Sequence, residues 1–196
     1  MDDRLTAKGR ATRARILAAT AELVRRKGIT RTQLDDVRRA AGVSGSQLTH
    51  YFHDKRTLID DVIAWQAEAV ADHEPALDSF AAWHRWADLI VARHTGRKFQ
   101  GGCDFGSLAG QLVESSPQTR SHLADGYGRW LDRFRRDLSG MRDRALLRAD
   151  ADPDALANTM LAAMQGGVLL AQTLRRVEPL RDSLDAALAR LESYAR

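Results

Sequence analysis

Residues 28–58 read GITRTQLDDVRRAAGVSGSQLTHYFHDKRTL. Leu34, Val37, Ala40 and Ala41 recur at helical spacing, Gly42 interrupts them, and Val43, Leu48, Tyr51 and Phe52 resume one apolar face. Two short helices around a tight turn, followed at once by a third helix, are the sequence form of a helix-turn-helix. Thr32 with Asp35 three residues later forms the expected capping start of the first helix, and Gly42 suits the left-handed conformation that closes it. Ser44 is expected to cap the second helix, whose first turn carries Gly45, Ser46 and Gln47. Small or polar side chains there allow close approach to base edges, while backbone N–H groups favour phosphate. Thr49, His50 and Tyr51 are candidate donors to phosphate or sugar, and Lys55 supplies a cation where the next helix begins. A solvated helical hairpin without a ligand has the same outline, so the wider chain has to distinguish the two.

The ordered residues Ala41-Gly42-Val43-Ser44, His50-Tyr51-Phe52, Lys55 and Leu58 resemble the DNA-binding domain of the TetR family of transcriptional regulators. Two positions depart from that family's pattern: Thr49 stands where a tyrosine is usual, and Arg38 where a small alanine is usual. Thr32 and Arg38 complete the DNA-facing set expected in this segment.

The preceding helix carries an apolar stripe of Ile16, Leu17, Thr20, Leu23 and Val24, and Gly28 ends it. Lys8, Arg10, Arg13 and Arg15 crowd its N-terminal end, where the helix dipole disfavours cations by a few tenths of a kcal/mol each. A phosphate backbone accounts for them through Coulomb attraction and counterion release, with Lys8, Arg10 and Arg13 as the expected contacts; a solvated charge run is the alternative. The charge is unevenly spread. Residues 1–62 hold 13 Lys and Arg against 8 Asp and Glu, a net of +5, whereas residues 63–196 hold 17 against 18, a net of −1. A basic reader joined to a neutral second module follows. The expected division is 1–54 for the DNA-binding domain and 55–196 for a larger helical domain.

No apolar run approaches the roughly 20 residues that span a bilayer, and Met1-Asp2-Asp3 lacks a signal-peptide core, so a cytoplasmic protein without membrane association is expected. Cys103 is the only cysteine, which excludes an intrachain disulfide. The histidines are scattered, no Cys or carboxylate cluster has metal-ligand spacing, and no P-loop, dinucleotide fingerprint or nucleophile elbow is present. The reading is therefore non-enzymatic, with no cofactor and no metal.

Everything after the head reads as helix, giving an all-α chain. A continuous amphipathic helix is expected from Thr57 to Val70, ended by His73-Glu74-Pro75. In the resembled family this connection transmits ligand binding to the DNA-binding domain. Further helices follow around Phe80–His94, Phe105–Leu112 and Leu123–Met141; Asp152-Pro153 opens another and Pro179 the last. From Ala155 to Leu174 almost no polar face remains, so that helix must be buried on all sides. Two explanations stand: an intrachain core helix, or one that also meets a second copy. The resemblance implies a four-helix bundle across a two-fold axis, with Leu161, Gly167, Val168, Ala171, Leu184, Leu188 and Leu191 as the expected interface.

The aromatic residues of the second module are either core or pocket. The resemblance implies a pocket for a small-molecule effector of apolar or aromatic character. The candidates are Trp83, Trp86, Ile90, His94, Cys103, Phe105, Leu108, Tyr127, Trp130, Phe134, Met160, Met164 and Gln165. Cys103 is a small packed residue or, at a helix start, a redox or electrophile sensor. The expected function is a homodimeric repressor released from a pseudo-palindromic double-stranded DNA operator by an inducer. The alternatives are a ligand-independent or activating regulator, and a helical carrier with a degenerate reading head.

Overall fold

The computed structural model describes the backbone of residues 5–72 and 76–196 and the side chains of 5–68 and 76–196. The expected helix end at His73-Glu74-Pro75 lies outside the described residues. Among the described residues there are nine helices, and the sole strand-like pairing is a bridge between Leu147 and Ala195. The helices are α1 (Ala7–Arg31), α2 (Leu34–Ala41), α3 (Gly45–Tyr51), α4 (Lys55–Asp72), α5 (Phe80–Gly96), α6 (Asp104–Leu112), α7 (Pro117–Asp143), α8 (Pro153–Leu174) and α9 (Glu178–Glu192).

Local chemistry explains most of the boundaries. Thr6, Ser79 and Ser116 each accept a backbone N–H three residues ahead and so start α1, α5 and α7. Asp152 Oδ1 accepts from the N–H groups of Asp154 and Ala155, with Pro153 in the first turn of α8 as expected. The start of α2 differs from expectation by one residue. Asp36, not Asp35, reaches back to the cap, taking the Gln33 N–H at 3.1 Å. Thr32 instead finishes α1: its N–H donates to the Ile29 carbonyl and its hydroxyl to the Gly28 carbonyl at 2.8 Å. Between α2 and α3, Gly42 takes the left-handed conformation (φ 60°, ψ 44°), which turns the chain sharply enough to bring α3 across α2.

Two apolar cores form. In the first, Ile16, Leu17 and Val24 of α1 meet Val37 and Ala41 of α2, Leu48 of α3, and Leu58, Ile59, Val62 and Ile63 of α4. Phe105, Leu108 and Leu123 from α6 and α7 enter this same core, so it extends beyond residue 54. The second core joins α5, α7, α8 and α9 around Trp83, Trp86 and Phe134, whose rings pack edge to face at 5.0–5.7 Å. Full burial stabilises each large apolar side chain by roughly 1.5–3 kcal/mol. Cys103, just before α6, and Tyr127 of α7 pack against both cores and join them.

Candidate functional site

The seven residues of α3 are held from behind by buried Leu48, with Phe52 sealing the end. Ser44 Oγ accepts the Gln47 N–H at 3.1 Å while Gln47 Oε1 accepts the Ser44 N–H at 3.0 Å, a reciprocal capping box. The Gln47 amide oxygen is thus occupied, leaving its NH₂ group to face outward. Thr49 donates to the Gly45 carbonyl at 3.0 Å, so its hydroxyl is turned back on the helix. Gly45, Ser46, Gln47, Thr49 and His50 are exposed together, and Tyr51 is half-buried with its ring edge-on to His50. Lys8 and Arg10 are exposed on the first turns of α1, and Lys55 is half-buried at the start of α4.

Three expected DNA contacts have other work. Arg13 donates to Asp61 Oδ2 at 2.8 Å and lies over the Phe52 ring, which fastens α1 to α4. Thr32 is 2 % exposed and caps α1 internally, so it presents nothing to a duplex. Arg38 remains at the surface but is paired with Asp35 one turn earlier, at 2.8 Å.

A cavity of about 800 Å³ lies between the two cores. Of the expected pocket residues, Ile90, His94, Cys103, Phe105, Trp130 and Met164 line it. Trp83, Trp86, Phe134 and Met160 do not; they are packed in the second core. Leu108 is in the first core, and Tyr127 stacks edge-on behind Phe105 at 5.0 Å. Gln165 also stands behind the wall, donating Nε2–H to Cys103 Sγ at 3.4 Å. Val168, expected at the interface between copies, lines the cavity.

Sequence reading missed the wall's other half. Ala18, Ala21 and Arg25 of α1 line the cavity, as do Trp65, Gln66 and Glu68 of α4. The available signal was the i, i+3, i+7 spacing of Ala18, Ala21 and Arg25, a second face of small residues beside the apolar stripe of α1. Arg93 of α5 and its C-cap Arg97 were also missed, although they stand one turn apart in sequence from each other and beside Ile90 and His94.

The electrostatics of the wall follow from its burial. His94 is pushed down to about 4, first by burial and then by the guanidinium groups of Arg97 and Arg93, so it is neutral near pH 7. Burial raises the Cys103 thiol, against the opposing effect of N–H donation from Gly106 and Gln165. A protonated thiol is a poor nucleophile, which weighs against the sensor reading. Burial also lifts Tyr127 to about 12.

The expected interface residues point inward. Leu161, Gly167, Val168, Ala171, Leu184, Leu188 and Leu191 are all buried within the single chain. Gly167 is where α8 touches α9: a Cβ there would stand 2.9 Å from the Leu180 Cα, closer than real contacts allow. The outward stripe of α8 is a different set, Asn158, Ala162, Gly166, Leu169, Leu170, Thr173 and Leu174. Leu169 and Leu170 are 62 % and 52 % exposed.

Residues 16–62 match the family model described as bacterial regulatory proteins, tetR family, and residues 79–187 match that of the tetracyclin repressor-like C-terminal domain. The chain belongs to the TetR family. Among its relatives, the transcriptional regulator AcuR of Cereibacter sphaeroides is 28 % identical over 174 residues, covering 84 % of this chain and 78 % of that protein. An uncharacterized HTH-type transcriptional regulator of Lactococcus lactis is 26 % identical over 186 residues, or 90 % and 91 % of the two chains. Among solved structures, a TetR-family regulator from Cytophaga hutchinsonii superposes with a TM-score of 0.80 at 15 % identity, covering 98 % of both chains. The regulatory protein TetR from Rhodobacter sphaeroides does so with 0.78 at 22 %, covering 91 % of this chain and 97 % of that one. These TetR-family structures share the fold: an N-terminal helix-turn-helix bundle and a C-terminal helical domain. The function that comes with membership is DNA-binding transcriptional regulation, and the TetR-family relatives belong to a non-enzymatic class. No described helix is long and apolar enough to cross a membrane, and no described His, Cys, Asp and Glu residues cluster at metal-holding distance.

Proposed function

We propose that this TetR-family regulator is a homodimeric repressor that leaves a pseudo-palindromic operator when a small molecule fills the cavity between its two cores. The carrying observation is that α1 and α4, which build the DNA-reading bundle, also wall the cavity. A guest making different contacts with two arrangements of α1 and α4 must shift the balance between them. In the repressing arrangement, Gly45, Ser46 and Gln47 face base edges, with Lys8, Arg10, His50, Tyr51 and Lys55 on the backbone. The exposed stripe on α8 supports pairing with a second copy, since contiguous apolar surface of this kind marks an interface. Two heads related by a two-fold axis match half-sites about one helical turn, roughly 34 Å, or a multiple of it apart.

Selection of bound sequences from a random DNA pool tests this directly. An enriched inverted repeat is expected, and a panel of compounds that raise Tm should contain members that dissociate the selected complex. Enrichment of a single unrepeated half-site would refute the dimeric arrangement. Compounds that bind without changing DNA affinity would refute release.

A further inference from the structure

The cavity's chemistry narrows what it accepts, and we infer that its ligand is an organic carboxylate on an aromatic or otherwise apolar body. The inference rests on the cavity being the effector site proposed above. The apolar part of its wall is partly aromatic, with Trp65, Ile90, Phe105, Trp130, Met164 and Val168, and about 800 Å³ suits a molecule of drug size.

Its charged groups are Arg25, Arg93 and Arg97 against Glu22, Glu68 and Asp104, equal in number. Arg25 holds Glu22 through Nε at 2.8 Å and through Nη2. Asp104 Oδ1 stands 3.6 Å from Arg97 Nη1 and 4.0 Å from Arg25 Nε. Both are ion-pair contacts rather than hydrogen bonds, and that oxygen is sealed from solvent without a hydrogen-bond partner among the described residues. Arg93 has no carboxylate within 4.0 Å among the described residues, and neither Arg93 nor Arg97 spends a guanidinium N–H on a described hydrogen bond to the protein. Glu68 is the remaining acid, exposed on α4 and more than 4.0 Å from any described cation.

The guanidiniums of Arg93, in the last turn of α5, and Arg97, its C-cap, are therefore a turn apart in sequence, beside an apolar chamber, with hydrogen-bond donors to spare. A carboxylate takes two parallel N–H groups of a guanidinium at once, which an amide or alcohol does not. His94 lies between them in sequence and is kept neutral, so the same wall adds no competing positive charge that would call for a dianion. A cationic guest would meet these same two guanidiniums and, as the one acid outside an ion pair, Glu68.

The test uses the DNA-free protein, titrated with 2-naphthoate and with its neutral counterpart 2-naphthamide. Binding is followed by calorimetry and by quenching of tryptophan fluorescence, to which Trp65 and Trp130 on the wall contribute. The acid should bind at least tenfold more tightly than the amide. Combining Arg93→Gln with Arg97→Gln should abolish that preference while circular dichroism remains helical. Arg85→Gln, which removes one charge from the exposed side of α5 outside the cavity, should preserve it. The inference is overturned if the amide binds as tightly as the acid, if neither binds, or if the double variant keeps the preference. Release of the selected DNA complex is read separately. A carboxylate preference without release upholds the ligand class and removes the release mechanism; release by the neutral compound alone does the reverse.

Discussion

Gln47 carries two duties on one side chain. Its oxygen closes the start of α3 and its NH₂ group faces outward, so Gln47→Ala should change sequence preference and also cost about 1 kcal/mol of stability. Denaturant melts and binding-site selection on the same variant measure both effects. Lys55→Ala should weaken binding to every sequence alike and reduce the salt slope by about 1, the signature of a phosphate contact. Arg13 was expected beside Lys8 and Arg10, but Asp61 claims it. In a double-mutant cycle, Arg13→Ala and Asp61→Ala should show a stability coupling of about 0.2–1 kcal/mol, because the pair is partly exposed. A coupling of zero, with affinity loss confined to Arg13→Ala, would return that arginine to the DNA. His94 gives a pH signature whose sign is fixed by its depressed pKa. Below the ordinary value of 6.5 the unfolded chain takes up a proton that the folded chain refuses until about 4. Stability should therefore fall as pH drops through that window, and His94→Gln should flatten the fall in Tm between pH 7 and pH 5.

At the scale of elements, the turn between α2 and α3 offers a clean measurement. A Cβ on Gly42 would meet nothing within 4 Å, so Gly42→Ala probes backbone strain alone and should cost about 1–2 kcal/mol in a denaturant melt. This turn was legible in the sequence because its determinants, Gly42, Ser44 and Gln47, act within a few residues of one another. The same holds for Pro153 and Pro179 in first turns. The cavity wall was legible only on the α5 to α8 side. That Arg25 of α1 and Asp104 of α6 share one chamber depends on packing between elements far apart in the chain, and no local pattern encodes it. Which face of α8 turns outward was not legible for another reason. A helix with small or apolar residues on almost every side has little phase, so its sequence does not say which side meets α9. The structure supplies the phase: Gly167 inward and Gly166, with open space around it, outward.

At the scale of the whole molecule, the proposed pairing of two copies through the outward stripe of α8 can be broken in one step. Leu169→Glu with Leu170→Glu should yield a folded monomer by sedimentation, because both side chains are exposed in the single chain. Operator affinity should then fall by orders of magnitude, since the second head no longer arrives at an effective concentration in the millimolar range. The shared wall of the cavity carries a further consequence. If filling it alters DNA affinity by some factor, bound DNA must alter the guest's affinity by that same factor. A titration on DNA-free protein would then overstate how readily the guest enters the promoter-bound form. Uncommitted copies of the regulator would capture the small molecule first, so the dose that switches the gene would rise with the number of copies in the cell.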